Sequence, residues 1–479
     1  MDIHFVLYDN LNIQINTNNR YYINAVDKHL TDFVKGYLFM PKYKKGGWNG
    51  TISIFNRAKR SFPYGLLFEV LRYTKKDWGD LELKASDDVK ALFRGITVDS
   101  IKKDLVLTPY PYQQECINAL LKSSKGIVEV ATAGGKSLII AYLIHNIDHI
   151  INYNNSLIIV PTLQLVDQFK GDLIEYGIPD SSIGIVNSKN KEFDERIVIS
   201  TWQSLKNQLD ELDRFNTVIV DEVHTAQATK LSEILQNCNT SEYRFGVTGT
   251  LPTNRLDRLN VLSYLGPVLK KFTGKDLADL GYVSKCVIKQ IYIDYKDKYS
   301  GDYNEIKDLV FFSDFRMGLI KHIIKNKDNS VLILVDKIEK EGEPLLEVLQ
   351  ESFPDRIVIF LSGRDKSDVR DEWRKKMDTD KNIVCIATFA IFQQGVNIPS
   401  LRTIITASST KSFIRIIQSL GRVLRKHVSK DLGGAELYDI CDNVKYMKDH
   451  ASKRNRHYVK EKHVIQEITL KEKNGVYQI

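Results

Sequence analysis

Short runs of β-branched and other apolar residues recur along most of this chain, and longer amphipathic stretches separate them. Between residues 105 and 280 the runs lie at 126–130, 156–160, 196–200, 217–220 and 243–247. Apolar runs of about five residues, bounded by polar residues and alternating with helical patterns, are typical of parallel strands joined by crossover helices. This feature predicts an α/β domain built on a parallel sheet.

The same alternation returns in the second half of the chain, at 331–335, 356–360, 383–387, 401–406 and 435–440. No sequence repeat links the two halves, so the rhythm alone predicts two similar α/β domains. Residues 1–100 differ, because they contain aromatic-rich strands and turns such as Gly46-Gly-Trp-Asn-Gly50 but no alternating series of strands and helices. We expect a separate α+β domain there, joined to the rest somewhere between 78 and 106. The length of 479 residues agrees with about three domains.

Apolar content and cysteine spacing exclude other classes of protein. The longest apolar stretches end near five residues, whereas a membrane helix needs about 20. The five cysteines lie far apart, at 116, 238, 286, 385 and 441, which excludes a disulfide framework and fits a reducing compartment. The amino terminus shows no secretion or import signal, so we expect a cytoplasmic protein with no membrane partner.

The positive charge of the chain is concentrated at its two ends. Residues 20–76 contain twelve Lys/Arg and three Asp/Glu, a net charge of +9. Residues 443–479 contain nine Lys/Arg and four Asp/Glu, a net charge of +5. Because the whole chain carries +8, the remainder is acidic, at −6. Such a separation indicates terminal modules that hold a polyanion and a central body with another task.

A glycine-containing loop follows the first apolar run. The sequence Ala131-Thr-Ala-Gly-Gly-Lys-Ser137 lies between this strand and a helical pattern that starts at 138. A strand, a turn and a helix amino terminus direct backbone N–H groups at one point, which suits a triphosphate. Lys136 would then reach the β- and γ-phosphates, and the Ser137 hydroxyl would bind Mg²⁺. Val130 stands where the strict pattern has glycine, so a chance Gly-Lys-Ser stays the alternative. The loop residues expected to hold ATP are Thr132, Gly134, Gly135, Lys136 and Ser137.

A pair of acids follows the run at 217–220, in the sequence Asp221-Glu222-Val223-His224. Carboxylates at the carboxyl end of a parallel strand lie at the ligand edge of the sheet. Asp221 is expected to hold Mg²⁺, and Glu222 to orient or deprotonate the attacking water. Two solvated acids at a strand end are the alternative, which the preceding Lys-Ser makes less favourable.

Two arginines near the end of the second α/β unit complete the candidate chemistry. In Gln418-Ser-Leu-Gly-Arg422-Val-Leu-Arg425, the residues at 418, 422 and 425 fall on one face of a helix. Guanidinium groups supplied by a second domain are what an arginine-finger arrangement requires. The alternative is an ordinary basic helix face.

Taken in order, these motifs resemble those of superfamily 2 helicases and translocases, and the resemblance covers about 107–442. The Q motif matches 107–113, which makes Gln113 the base contact and Tyr112 a stacking residue. Two departures disfavour a DEAD-box RNA chaperone: motif II reads Asp-Glu-Val-His, and motif VI begins with Gln418. A third departure, Ala133 in the phosphate loop, leaves Lys136 and Ser137 in place.

The resemblance implies two RecA-like domains with ATP between them and a nucleic-acid strand across both. His224, Thr248 and Thr250, together with Gln418, would couple hydrolysis to strand movement. The backbone phosphates of the strand would be bound at four positions. Three of them are threonines, for which capping of a helix is the alternative role. The four positions are Thr162, Thr201, Thr388 and Gly395.

The amino-terminal region narrows the resemblance to UvsW-like phage helicases, through residues 37–55 and the basic residues after them. That family remodels branched DNA, by fork regression, Holliday-junction branch migration and removal of D-loops or R-loops. The basic cluster would neutralise DNA phosphates, and Trp48, Tyr43 and Phe39 would cap an unstacked base pair. For Trp48 a place in the core of a small domain is the alternative. The predicted DNA contacts are Lys42, Lys44, Lys45, Trp48, Arg57, Lys59 and Arg60.

The sequence therefore predicts an ATP- and Mg²⁺-dependent DNA helicase or translocase of the cytoplasm, which would be that of a bacterial host if the chain is phage-encoded. The predicted domains are a basic α+β domain (1–100), RecA-like domains (101–282 and 283–442) and a basic carboxyl-terminal segment (443–479). We expect the RecA-like domains to fold without residues 1–100. Candidate partners are branched, duplex and single-stranded DNA, RNA–DNA hybrids, and recombination or single-strand-binding proteins. An ATP-gated DNA clamp and the motor subunit of a restriction enzyme are the rival functions.

Overall fold

A computed structural model gives the fold. It describes residues 2–79, 81–96, 102, 104–131, 134–151, 154–223, 228–283, 286–296, 299, 301–393, 398, 400–409, 434–460 and 463–472. The chain divides into two compact units, of which the first contains 1–130 and 135–271 and the second contains 131–134 and 272–479. Each unit is described by itself below. Among the described residues, no helix has the length and apolar character needed to cross a membrane.

The amino-terminal region is an α+β module built on a four-stranded sheet of order β5-β2-β1-β6. A separate two-stranded sheet, β3-β4, carries a long excursion between its strands. The elements of the module are β1 (Asp2–Asp9), β2 (Asn12–Asn16), α1 (Arg20–His29), β3 (Thr31–Phe33), α2 (Pro41–Lys44), β4 (Thr51–Ser53), β5 (Ser61–Pro63), α3 (Leu67–Asp77), β6 (Glu82–Ala85) and α4 (Asp87–Ala91).

The first RecA-like domain has a seven-stranded parallel sheet of order β13-β7-β12-β11-β8-β10-β9. Strands β8 and β10 are fully buried and rich in Val, Ile and Leu, as expected where helices cover both faces of a sheet, whereas the edge strand β13 is half-buried. The elements are α5 (Pro111–Ser123), β7 (Lys125–Val130), α6 (Lys136–Ile150), β8 (Ser156–Val160), α7 (Leu163–Glu175), β9 (Ile183–Val186), β10 (Ile197–Thr201), α8 (Trp202–Leu205), β11 (Thr217–Asp221), α9 (Ala228–Gln236), β12 (Tyr243–Thr248), α10 (Arg255–Leu265) and β13 (Val268–Phe272).

The second RecA-like domain has another seven-stranded parallel sheet, of order β16-β17-β15-β18-β19-β14-β20. A single π-helical turn, Ile338–Gly342, precedes α14. The elements are α11 (Gly274–Asp279), β14 (Cys286–Asp294), α12 (Tyr303–Phe311), α13 (Asp314–Lys325), β15 (Val331–Val335), α14 (Glu343–Ser352), β16 (Ile357–Leu361), α15 (Ser367–Thr379), β17 (Ile383–Thr388), α16 (Phe389–Gln393), β18 (Thr403–Thr406), β19 (Ala435–Asp442), α17 (Met447–Lys460) and β20 (Val464–Lys471).

The carboxyl-terminal segment does not stand apart from the second domain. Strand β20 pairs with β14 along its whole length, so the sheet extends beyond 442. Arg454 of α17, which contributes to the local positive charge, is buried and paired with Asp439 at 2.9 Å. Part of the basic excess at this end therefore stabilises the domain and is not available to a polyanion.

The amino-terminal module shares one hydrophobic core with the first RecA-like domain. Buried residues of both contribute, and Phe62 and Leu66 of the module belong to the same cluster as Leu259 and Leu265 of α10. The hydroxyl of Tyr64 donates to the carbonyl of Tyr264 at 2.5 Å. The expected α+β domain is present, but it packs directly on the first RecA-like domain, so that removing it would expose the apolar face of α10.

Backbone contacts reinforce this shared core. Gly65 lies so close to α10 that an added Cβ would overlap the Leu262 carbonyl and come within 2.7 Å of the Ser263 carbonyl. The backbone N–H of Gly95 also donates to the Lys122 carbonyl at 3.0 Å. The first compact unit is thus a module and a RecA-like domain joined by a close-packed surface.

Candidate functional site

The phosphate loop ends where helix α6 begins. Gly135 is the residue before the helix and has a φ of 63°, a left-handed conformation that favours glycine. A Cβ at this position would also overlap the side-chain amide of Gln113. The first turn of α6 receives no side-chain cap, so its N–H groups point into the loop region as an anion site requires.

Lys136 forms an ion pair with Glu222, with 2.9 Å between Nζ and Oε1. Both side chains are largely buried. Asp221 is the last residue of β11, and Glu222 begins the turn after it. The structure therefore brings together three residues that the sequence predicts for ATP and Mg²⁺, at the carboxyl edge of the first sheet. A cation on a helix amino terminus beside two acids is a donor set that fits a magnesium–triphosphate group.

Glu222 is held in one orientation from its backbone to its carboxylate. Its φ of 48° is unusual for a side chain with a Cβ and is maintained by a backbone bond of 3.0 Å to the Val247 carbonyl. Its Oε2 accepts hydrogen bonds from Gly249 N–H at 3.2 Å and from Thr248 Oγ1 at 3.3 Å. The predicted coupling motif is thus in direct contact with the predicted catalytic acid.

The loop of the coupling motif is fixed further by Glu129, which the sequence analysis did not single out. Thr248 Oγ1 donates to the carbonyl of Thr250 at 2.8 Å, which closes the turn. The next N–H, of Leu251, donates to Glu129 Oε1 at 3.1 Å, and Glu129 Oε2 lies 3.0 Å from Lys271 Nζ. An acid within the apolar run at 126–130 is the signal that could have identified this position.

The Q-motif residues lie beside the phosphate loop. Gln113 is buried; its Oε1 accepts from Tyr110 N–H at 2.8 Å and its Nε2 donates to the Gly135 carbonyl at 3.4 Å. Tyr112 is only 3% exposed, whereas Tyr110 is 52% exposed. Gln113 therefore contacts the phosphate loop, and the ring that is accessible for stacking is that of Tyr110.

Ser137, the expected Mg²⁺ ligand, contacts a residue that sequence reasoning did not identify. Its hydroxyl lies 2.9 Å from the hydroxyl of Tyr176, the residue that follows α7. Tyr176 stands far from Ser137 in sequence and in no motif, so only the folded chain brings the two together. The uncharged Tyr176 hydroxyl thus gives the Ser137 hydroxyl a hydrogen-bond partner.

Two predicted phosphate contacts line one cavity of about 640 Å³ at the carboxyl edge of the first sheet. Thr162 caps α7 by accepting from Leu165 N–H at 3.4 Å, and Thr201 caps α8 by accepting from Ser204 N–H at 3.3 Å. Both hydroxyls therefore have the capping role that the sequence left open. The cavity is lined further by Pro161, Leu163, Asn187, Ser188, Lys191, Gln203, Ser204, Asn207 and Gln208.

Thr388, the predicted contact in the second domain, is buried at the end of β17. It lies opposite Val335 in the sheet register, so it is at the carboxyl edge of its own sheet.

The basic residues of the amino-terminal module differ in how strongly the fold engages them. The side chains of Lys42, Lys44 and Lys45 are exposed on and after α2. Arg57 instead pairs with buried Asp27. The remaining predicted contacts also have intramolecular partners: Lys59 lies 4.8 Å from the ring centre of Tyr8, Arg60 donates to the Thr17 carbonyl at 3.2 Å, and Trp48 donates to the Thr51 carbonyl at 2.8 Å.

Six predicted site residues lie outside the described residues: Thr132 in the phosphate loop, His224 after the acid pair, and Gly395, Gln418, Arg422 and Arg425 in the second domain.

Comparison with protein families gives three matches in chain order. Residues 2–82 match the amino-terminal domain of the DNA helicase UvsW, residues 106–253 match the Res subunit of type III restriction enzymes, and residues 316–427 match the conserved carboxyl-terminal helicase domain. The last two matches fall on the two RecA-like domains, and the first falls on the α+β module. Together with the site, they define an ATP-dependent superfamily 2 helicase.

Individual relatives refine this class. The ATP-dependent DNA helicase uvsW of Enterobacteria phage T4 is 26% identical over 434 residues, which cover 85% of this chain and 84% of the relative. The DNA 3′-5′ translocase XPB2 of Sulfurisphaera tokodaii is 26% identical over 407 residues, covering 73% and 89%. The chain is a UvsW-like superfamily 2 helicase.

A solved structure agrees with the fold. The ATP-dependent type ISP restriction-modification enzyme LlaBIII, bound to DNA, superposes with a TM-score of 0.59 at 14% identity, over 81% of this chain and 33% of the enzyme. At this identity the likeness concerns the fold alone.

Proposed function

We propose that this helicase remodels branched DNA, through fork regression, Holliday-junction branch migration and removal of D-loops or R-loops. The proposal rests on the combination of a helicase site with an exposed basic arm on the module that precedes the motor. The arm, residues 34–50, lies between β3 and β4 and contains α2. Its lysines give it a positive charge suited to duplex phosphates, without any group arranged to read bases.

The ATP site supports a motor in which each residue has one task. Lys136 would bind the β- and γ-phosphates once they replace the Glu222 carboxylate as its partner. Glu222, released from Lys136 and still held by Gly249 N–H, would orient the attacking water. Ser137 and Asp221 would hold Mg²⁺, which would supply positive charge to offset that of the triphosphate. Arg422 and Arg425 remain the predicted arginine fingers.

The arm also carries an exposed apolar tip. Leu38 is 53% exposed and Phe39 is 79% exposed, whereas Tyr43 packs edge-on against Tyr37 inside the arm. An aromatic ring among lysines is suited to stack on a base at the point where a duplex opens. Among the predicted capping residues, Phe39 is therefore the one that best fits this task.

ATPase and strand-displacement measurements on four substrates test the proposal. We expect little ATPase without DNA, more with single strands or duplex, and most with a four-way junction, together with junction unwinding. Lys136→Ala should lower DNA-stimulated ATPase by orders of magnitude, and Glu222→Gln should bind ATP but turn over slowly. Arg425→Ala should reduce turnover about 10³-fold, with a smaller effect on ATP affinity.

Glu175→Gln, an exposed acid on α7, is the matched control and should leave all these rates unchanged. Near-normal ATPase in the Lys136, Glu222 and Arg425 variants would refute the site assignment. ATPase without strand displacement would favour the ATP-gated clamp. Translocation on duplex with no preference for branched DNA would favour a restriction-enzyme motor, the class matched by residues 106–253.

A further inference from the structure

A cluster of potential metal ligands lies beside α6, more than two helical turns after the phosphate loop. His145 and His149 are four residues apart and therefore on the same face of the helix. Asp104, from the segment before the Q motif, reaches the same face. One ligand atom from each of the three residues lies within 4.8 Å of the other two.

The two distances between ligand atoms of the cluster lie on either side of the separation that the ligands of one ion would have. Asp104 Oδ1 is 2.5 Å from His145 Nε2, and Asp104 Oδ2 is 3.9 Å from His149 Nε2. In a tetrahedral site with bonds of about 2.0–2.1 Å, neighbouring ligand atoms are roughly 3.4 Å apart. Small side-chain rotations would therefore bring all three groups to one ion, with water in the fourth position.

The segment that carries Asp104 is fixed on both sides, so the third ligand is already in position. The backbone N–H of Lys102 donates to Asn146 Oδ1 at 2.8 Å, and Asn146 belongs to α6. Beyond Asp104, the carbonyl of Leu107 accepts from the Tyr142 hydroxyl at 2.9 Å, again from α6.

We propose that Asp104, His145 and His149 form a binding site for one divalent transition-metal ion of the zinc class. Two imidazole nitrogens and one carboxylate oxygen are ligands that such ions take and that Mg²⁺ does not select. The ion would bond the segment before the Q motif to the helix that begins with Lys136. This site is separate from the Mg²⁺ site at Ser137 and Asp221 and does not depend on the proposed DNA function.

Lys102 opposes the ion and gives the proposal its sharpest test. Its Nζ lies 2.9 Å from His149 Nδ1, where its positive charge disfavours a second cation. The Lys102 side chain is exposed and can leave this position at little cost.

The experiment uses the full chain, stripped of metal by a chelator and free of nucleotide. Titration with Co²⁺, followed by visible absorption, should give one equivalent of tetrahedral Co²⁺ that Zn²⁺ displaces and Mg²⁺ does not. His149→Ala and Asp104→Asn should each weaken Zn²⁺ binding at least tenfold, while Lys102→Ala should strengthen it severalfold. Zn²⁺ should raise the Tm of the wild type but not that of His149→Ala.

The matched control is His4→Ala. His4 also lies beside a carboxylate, 3.9 Å from Asp2, but that described pair contains no second histidine. Its Co²⁺ spectrum should equal that of the wild type. All variants should share the metal-free Tm of the wild type within a few degrees, since these side chains are partly exposed. Absence of a Co²⁺ spectrum, or a Zn²⁺ affinity that Asp104, His149 and Lys102 substitutions leave unchanged, would overturn the proposal.

Discussion

Lys125 is a buried cation at the boundary between the amino-terminal module and the first RecA-like domain. Its Nζ donates to the Leu92 carbonyl at 2.9 Å and to the Glu242 carbonyl at 3.0 Å. Burial, with a smaller contribution from Arg244, lowers the pKa of Lys125 to about 8. Relative to the neutral form, the charged form of Lys125 is therefore less stable in the folded protein than in the unfolded chain.

This pKa predicts a stability that rises with pH. Between about pH 8 and pH 10.5 the unfolded chain binds more protons at Lys125 than the folded protein, so the free energy of unfolding increases with pH. From pH 7.5 to pH 9.5 the gain is about 2 kcal/mol. Denaturant unfolding at both values should show it, and Lys125→Met should remove most of the rise.

The control for this prediction is Lys122→Met, because Lys122 is exposed on α5 and should keep the full rise. The slope, not the absolute stability, is the relevant quantity, because Lys125→Met also leaves two carbonyls without their donor. Equal slopes in the wild type and Lys125→Met would contradict the prediction.

At the scale of residues, sequence reasoning was most successful where the chemistry is local. Lys136 and Ser137 adjoin in the chain, and Asp221 ends a recognisable strand, so their edge of the sheet could be predicted. Tyr176 could not, because its contact with Ser137 depends on how two helices pack. The burial of Gln113 and Tyr112 could not be predicted either, since a sequence does not state which side of a helix is buried.

The excursion between β3 and β4 is closed at its base and packed inside by aromatic rings. Its ends are closed by the Val34 N–H bond to the Gly50 carbonyl at 2.9 Å, and Phe33 stacks on Tyr37 with ring centres 4.6 Å apart. The aromatic residues inside the arm therefore give it a fixed shape, while its lysines extend into solvent.

Charge removal on this arm should weaken DNA binding without harming the fold. Replacing Lys42, Lys44 and Lys45 together with alanine should flatten the plot of log affinity against log salt by about 0.9 for each lost phosphate contact. The loss should be the same for DNA of different sequence, because none of these contacts reads a base. Fluorescence anisotropy with forked DNA between low and high salt measures the slope.

Lys75 and Lys76 on α3 provide a control of similar charge, since they are exposed in the same module but outside the arm. Their replacement should change the slope less. An unchanged slope in the arm variant would mean that these lysines are only a solvated face.

Elements of the fold could be predicted where apolar runs were short and well bounded, and were missed where they were not. Strand β14 alternates buried and half-buried residues over nine positions, and β20 is mostly exposed, so neither resembles the fully buried runs used as a guide. Strand β9 contains only four residues. These three strands lie at or next to the edges of their sheets, where burial on both faces no longer applies.

At the scale of the whole molecule, Gly65 tests whether module and motor domain form one cooperative unit. Gly65→Ala should lower the free energy of unfolding by about 1–3 kcal/mol, because the new methyl group meets backbone that cannot move aside. A single shifted transition in denaturant, seen by both fluorescence and circular dichroism, is expected.

Gly171→Ala is the control of opposite sign. Gly171 lies within α7, is exposed and has nothing within 4 Å of an added Cβ, so alanine there should stabilise the protein by up to about 1 kcal/mol. Two separate transitions, or a Gly65→Ala variant as stable as the wild type, would show that the module folds on its own.

The hydrogen bond between Tyr64 and Tyr264 spans 200 residues of chain, and this has a consequence for synthesis on the ribosome. The amino-terminal strands emerge first, but the α10 surface that completes their core follows only after those 200 residues. At about 5–20 residues per second, the delay is roughly 10–40 seconds. During that time the nascent module presents an apolar face, and a chaperone of the host cell that holds such surfaces would meet it before the motor domain exists.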